Sequence, residues 1–465
     1  MSLNLYIYKK IKAMKLILSI ICVSIVFVSQ ANEDSLFIRK IYTEALTKGK
    51  SYENLRSLCK DIGARITGSA EAEMAIYWGK RVLESYGFDN VYLQEIKVPH
   101  WERGTTEAAW VINENGDVIK LDVLALGGSI GTNGLITGEV IEVKNLADLK
   151  SKSEKDIKGK IVFINKPFDQ ALIQTFKAYG SCYPIRGYGA IEASKLGATA
   201  VVIRSLATPT DEHPHTGVMS YKDSVQKIPA AAMSTLNADL LSEWLKKGKV
   251  TFKMEMDCEK MADVTSYNVI AEVKGTVDNS IISWGGHLDS WDVGEGAHDD
   301  GAGIAHSIEA LRLLKVLGYK PKHTLRCVLF MNEENGNMGG KSYAKIASEK
   351  GEKHIVAIES DRGGFLPIGF DIVGNEKQQQ FIKQFEALLY DFQLYKFQKG
   401  YGGVDINPLR EYYPEMLQLG MSISSQRYFN YHHTNADVFE AVNKRELELG
   451  CAAMAVMIYL VDKNI

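Results

Sequence analysis

Between Gly285 and Gly303 the chain reads GGHLDSWDVGEGAHDDGAG, two histidines and four aspartates padded mostly with glycine. Carboxylates held a few ångströms apart repel, and glycine weakens helices and strands alike, so a purely structural segment gains little from this composition. The same half of the chain carries Glu333–Glu334, Asp361 and the pair His432–His433. Imidazoles and carboxylates gathered at one point form a ligand set for a divalent cation, Zn²⁺ best, with Mn²⁺ or Co²⁺ as substitutes. A cation also removes the repulsion among the acids. Taken singly, each group has an ordinary explanation. Asp299–Asp300 can cap a helix, Glu333–Glu334 can be a solvated turn, His287-x-Asp289 can be loop polarity, and Asp361 can cap a turn. Their common placement at element ends is what those explanations omit.

The elements that must position these groups are legible around them. His287 and Asp289 follow the apolar run IISW, Glu333 and Glu334 follow TLRCVLFM, and Asp361 follows HIVAIES. Each run reads as a strand, and Asp299–Asp300 stand before a helix in GIAHSIEALRLLKVLG. Three of the four clusters thus fall at strand C-terminal ends, where open α/β sheets place their ligands. If the strands are parallel neighbours, roughly 5 Å apart, their tips converge. The late histidines lie in a polar loop before the final helix, RELELGCAAMAVMIYLV, which reads as a core helix rather than a membrane span. From about Tyr267 strands and helices alternate, as in a layered α/β fold. Upstream, residues 52–90 read as two helices and VYLQEIKVP as a strand.

The middle of the chain has a different texture. GLITGEVIEV, KGKIVFINK, ATAVVIRS and KIPAAAMS read as strands, with a short helix in GYGAIEASKLG. No carboxylate–histidine constellation occurs there. His213-Pro-His215 has metal-like spacing but reads as a solvated loop.

At 465 residues the chain has room for about two or three domains. Apolar residues make up 46% and charged residues 24%, with a net charge of −3, so no basic field invites nucleic acid. The first residues supply a basic KKIKAMK, an apolar LILSIICVSIVFV and a small-residue SQA. That is the pattern of a signal peptide over residues 1–31, which implies export to a secreted or periplasmic place (lysosomal or extracellular in a eukaryote), with no membrane attachment after cleavage. Cleavage removes one of the six cysteines, Cys22, and leaves an odd number that cannot all pair within the chain.

The segments HLD, HDDGAG, NEENG, ESDRGG and HHTNAD, in this order, resemble the M28 family of co-catalytic di-zinc exopeptidases. ARITGS, VPHWERG and GGHLDSWDVG extend the resemblance toward its carboxypeptidase Q branch over nearly the whole mature chain. The resemblance implies a mixed central sheet with helices on both faces, of zinc-exopeptidase type, interrupted by a β-rich protease-associated domain. On that basis residues 51–105 and 263–465 form the peptidase domain, 106–262 the insertion and 32–50 a possible pro-segment. Two Zn²⁺ per chain are implied, bridged by Asp299, with His287 and Asp361 on one and Glu334 and His433 on the other. Glu333 is then the general base. Asp289 holds the His287 ring in its ligating tautomer, and His432 hydrogen-bonds the oxyanion where several relatives have a tyrosine. A cis peptide is implied between Asp299 and Asp300, and a homodimer for the whole.

The implied activity is hydrolysis of dipeptides or short peptides, as a dipeptidase or carboxypeptidase. An aminopeptidase of the same family is the nearest alternative, since the metal core is shared. Arg362, Arg410 and Tyr401 are candidates for holding a substrate terminus. A non-catalytic receptor-like ectodomain and an acyl-transferring cyclase are remoter alternatives.

Overall fold

Burial along the apolar runs decides the architecture. A computed structural model describes residues 33–465; the expected signal peptide, with Cys22, lies outside them. One eight-stranded sheet is built from β1 (Asn90–Val98), β2 (Val264–Val273), β3 (Ile281–His287), β4 (Thr324–Phe330), β5 (His354–Glu359), β6 (Pro367–Val373), β7 (Lys396–Lys399) and β8 (Leu417–Ile423). Their order is β1-β2-β4-β3-β5-β8-β6-β7. The central four, β4-β3-β5-β8, run parallel. Antiparallel β2 and β1 extend one side, and β6, antiparallel to β8, extends the other. β3 is buried at every position, as a parallel strand covered on both faces must be.

Alternate residues of these strands face two layers of helix. Val269, Ala271, Ile282, Trp284, Cys327 and Leu329 pack with helices Ala70–Ser85, Ala302–Val316 and Lys444–Asn464. Ile270, Val328, Phe330 and Ala357 face the other way, toward Tyr343 and Ala344 of helix Met338–Glu349. The fold is mixed α/β with helices on both faces, as expected. The last helix is buried along most of its length within this core, so its apolar circumference is a packing requirement. No helix among the described residues is long and apolar enough to cross a membrane.

Residues 33–48, within the expected pro-segment, form a helix that belongs to the same core. Ile38, Ile41 and Ala45 are fully buried, and the Phe37 ring lies 4.6 Å from that of Tyr459.

A second eight-stranded sheet is contributed by residues 107–256. Ile136–Val143, Ile161–Ile164, Ala200–Arg204 and Ala230–Met233 run parallel at its centre. The helix expected in GYGAIEASKLG is longer than the sequence suggested, running from Thr175 to Ser194 with Pro184 inside. Pro184 and Gly180 mask its first half at the level of propensity, and burial of Ala178, Cys182, Ile185 and Ala190 overrides them. A further helix, Thr235–Leu245, is capped by the Ser234 side chain.

Candidate metal centre

Three parallel strands deliver the acids and the first histidine to one edge. β3 ends on His287, β4 leads into Glu333 and Glu334, and β5 leads into Asp361. Glycine is required at this edge because backbone and carboxylate crowd it. A Cβ on Gly286 would stand 2.2 Å from Asp300 Oδ2, and one on Gly303 would stand 1.9 Å from the Ser360 carbonyl. Asp300 uses this closeness, accepting hydrogen bonds from the His287 and Gly303 amides at 3.1 and 3.0 Å. It splices the strand tip to the start of helix Ala302–Val316. The peptide bond between Asp299 and Asp300 is cis.

The Asp299 carboxylate is shared between two imidazoles. Its Oδ1 lies 3.2 Å from His287 Nε2, and its Oδ2 lies 3.2 Å from His433 Nε2. Beyond His287 stands Asp361, at 3.5 Å; beyond His433 stands Glu334, at 3.1 Å. All five residues expected as ligands therefore meet around one carboxylate. Two three-residue clusters have donor atoms close enough for one ion each, His287–Asp299–Asp361 and Asp299–His432–His433. His432 thus also reaches the site, 3.7 Å from Asp299 Oδ2, with its ring stacked 3.5 Å from that of His433.

Several observations test whether these residues suit metal. His287 Nδ1 lies 3.0 Å from the Asp289 carbonyl and His433 Nδ1 3.3 Å from the Thr216 carbonyl, so each ring can donate there and keep an Nε2 lone pair facing the acids. Glu334 Oε1 is buried with no hydrogen-bond partner. Burial pushes the Glu334 carboxyl up to about 6 and that of Glu333 well above the usual range. Burial opposes charge on His433, but Glu334 and Asp299 outweigh it and carry the ring to about 9. Buried acids and bases drawn together so that protons must settle their charge form a ligand set in which a cation competes with those protons. The residues fit zinc.

Asp289 is placed differently from the sequence expectation. The contact to the His287 ring comes from its main-chain oxygen; its carboxylate lies 3.8 Å from the ring. That carboxylate instead accepts the amides of Asn332, Glu333 and Glu334, and the Thr67 hydroxyl at 2.9 Å. It therefore fixes the turn that presents both glutamates. His298, beside the bridging acid, turns away and stacks on Phe365 with ring centroids 4.2 Å apart. Its Nδ1 accepts from the Gly364 amide.

Other residues at the site escaped the sequence reading. Arg65 is fully buried, and its guanidinium donates to the carbonyls of Leu288, Gly63, Glu295 and Gly296. Asp437 accepts the amides of His298 and Asp299. From the second sheet's helix comes Arg186, whose Nη1 lies 3.4 Å from His433 Nδ1 while Nη2 donates to the Tyr179 hydroxyl. Tyr179, Tyr183 and Arg186 recur at helical spacing, a signal available in the sequence. His215, expected in a solvated loop, is buried with Nδ1 2.6 Å from the His432 carbonyl.

A cavity of about 1220 Å³ opens onto this centre. Glu333, Asp361 and His433 form part of its floor, Tyr179, Tyr183 and Arg186 one wall, and Arg362 and Tyr401 another. Arg410 is not among its lining residues; its Nη1 donates to the Met416 carbonyl.

Residues 268–458 match the model of Peptidase family M28. Carboxypeptidase Q of Mus musculus is 35% identical over 422 residues, covering 89% of this chain and 86% of the mouse protein. The human carboxypeptidase Q is 34% identical, with 89% and 85% covered. The crystal structure of a peptidase M28 precursor from Shewanella amazonensis SB2B superposes with a TM-score of 0.88 at 32% identity, over 94% of this chain and 98% of that one. With such relatives, and with two ligand clusters at its strand edge, the chain belongs to peptidase family M28, as a zinc-dependent di-metal exopeptidase.

Proposed function

We propose that the chain hydrolyses dipeptides and short peptides at their carboxyl end, as a dipeptidase or carboxypeptidase. The observation that carries this reading is Arg186, 3% exposed and lining the cavity beside His433. Its Nε is buried without a partner, and the groups it does contact, Thr216, Tyr179 and His433, include no carboxylate. A buried guanidinium calls for an anion, and a peptide's free α-carboxylate is the anion such a substrate brings. Carboxypeptidase Q, the name borne by the relatives, agrees with that end of the peptide.

In this reading His287 and Asp361 hold one zinc, Glu334 and His433 the other, and Asp299 lies between both. Bound there, the zinc pair would supply Lewis acidity, polarising the scissile carbonyl and lowering the pKa of the attacking water. Glu333 takes that water's proton and delivers one to the departing amine. Asp289 keeps Glu333 in place through the amides of residues 332–334. His432, which burial holds well below the usual imidazole range, is neutral and donates a hydrogen bond to the oxyanion from Nε2, the nitrogen that faces the centre 3.7 Å from Asp299 Oδ2.

The second sheet is read as a protease-associated domain over residues 106–262, which covers the mouth and contributes Arg186. Residues 51–105 and 263–465 are then the peptidase domain. Residues 1–31 direct export, and the chain pairs as a homodimer, as the family resemblance implies.

Release of free amino acids from unblocked, N-blocked and C-amidated dipeptides tests the choice of end. No cleavage of the amidated peptide is expected; cleavage of the N-blocked one marks a carboxypeptidase, and its refusal a dipeptidase. Cleavage of the amidated but not the N-blocked peptide would make the chain an aminopeptidase. Chelation is expected to abolish activity and added zinc to restore it.

A further inference from the structure

The cavity has a second cationic end. Besides Arg186, which lies beside His433, the cavity is lined by Arg362, Asp371, Lys396, Gln398 and Ser422. Arg362 directly follows Asp361, so its side chain begins one residue from the metal centre. Its Nη1 donates to Asp371 Oδ2 at 2.7 Å and to Ser422 Oγ at 3.3 Å, and its Nη2 to the Tyr401 carbonyl at 3.1 Å. Lys396 Nζ comes within 3.7 Å of Asp371 Oδ1 and 3.5 Å of Ser422 Oγ. Gln398 also donates to Asp371, at 3.2 Å.

One carboxylate is therefore divided among two cations and an amide. The three charged side chains are mostly shielded, with 17%, 24% and 10% of Arg362, Lys396 and Asp371 exposed. A tie between β6 and its neighbours needs one cation for Asp371; the second leaves the wall with an excess positive charge in a part-buried place. Arg362 Nε has no partner among these contacts, and an ammonium has three protons to place. Lys399, exposed on the same wall, adds to the field.

We propose that Arg362 and Lys396 form a subsite for a substrate side-chain carboxylate, which makes short peptides with Glu or Asp on the amino side of the scissile bond the preferred class. The assignment of side rests on the reading above, which seats the α-carboxylate at Arg186 beside His433 and leaves the Asp361 end of the cavity to the preceding residue. Asp371 competes with the incoming carboxylate and sets the strength of the preference.

The experiment compares kcat/KM for Glu-Ala and the isosteric Gln-Ala with the zinc-loaded enzyme. Glu-Ala is expected to be favoured about tenfold at low salt, the scale of one charge-assisted contact. The ratio falls as sodium chloride is raised, because part-exposed charges are screened. Lys396→Gln lowers the ratio toward one, while Asp371→Asn, which removes the competing carboxylate, raises it. Zinc content and melting temperature, measured on each variant, report whether the fold is intact. Equal kcat/KM for the two peptides with the native enzyme overturns the subsite but leaves the exopeptidase reading standing, as does a ratio that neither substitution moves. Failure of the zinc-loaded enzyme to cleave either peptide overturns both.

Discussion

His215 Nδ1 stands 2.6 Å from the main-chain oxygen of His432, a contact between the second sheet's chain and the segment that carries both late histidines. The neighbouring Thr216 amide donates to the His433 carbonyl at 2.9 Å. The backbone around His433, where φ is +63°, is thus held from outside the peptidase sheet. Loss of one such buried bond is worth about 1–3 kcal/mol. His215→Ala is expected to weaken zinc binding about tenfold or more in a chelator titration; native affinity would show that the brace is dispensable.

Arg65 binds the other side of the centre. Its four carbonyl partners include Leu288, just after His287, and Gly296, just before the turn bearing Asp299. Arg65→Met leaves the buried Leu288 carbonyl and the part-buried Gly63 and Glu295 carbonyls without this donor, while Gly296 keeps the Gly301 amide; at about 1–3 kcal/mol each, a stability loss of more than about 3 kcal/mol is expected in urea unfolding. A loss below about 1 kcal/mol would contradict the clamp.

Glu333 is the proposed proton carrier and is not among the proposed ligands. Glu333→Gln should therefore keep two zinc ions per chain while kcat falls by about two to four orders of magnitude. Normal turnover would refute the role, and lost zinc would make it a ligand instead.

Acid should unfold the protein through its neutral buried histidines. Burial holds His215, His298 and His306 down to about 3, whereas an unfolded imidazole titrates near 6.5. Between those values the unfolded chain binds protons that the folded chain refuses, so stability rises with pH across this window and is lost as pH falls through it. Each group contributes about 1.4 kcal/mol per pH unit. Buried carboxyls act in the opposite sense, Asp437 being raised to about 7. The readout is thus a difference: His306→Gln should flatten the slope of unfolding free energy against pH between about 3 and 6.5, and an unaltered slope would reject the assignment.

Residues 33–48 bury Ile38, Ile41 and Ala45 completely, and Asp34 pairs with Lys463. A chain starting at residue 51 should lose several kcal/mol, since each buried isoleucine is worth about 1.5–3 kcal/mol. An unchanged melting temperature for the trimmed chain would mark the helix as removable.

Much of this centre was legible before any coordinates. The apolar runs ahead of His287, Glu333 and Asp361 read as strands because burial on both faces demands continuous hydrophobicity, and ordinary structural uses do not explain why the acids gather at their ends. Local sequence supports only the second half of helix Thr175–Ser194, because Pro184 and Gly180 speak against a first half that only packing sustains. The His213-Pro-His215 loop looks solvated from sequence because local composition carries no sign of a partner more than two hundred positions away.

The chain by itself determined which side chains could bind metal and on which strand ends they stand, because hydrophobic periodicity and ligand chemistry are local properties. Only the tertiary structure decided that Asp299 is shared between His287 and His433, that Asp289 grips the turn before Glu334, and that Arg65, Arg186 and His215 close around them. Those relationships join residues far apart in sequence, and a contact of that kind exists only once burial has brought both partners to the same place.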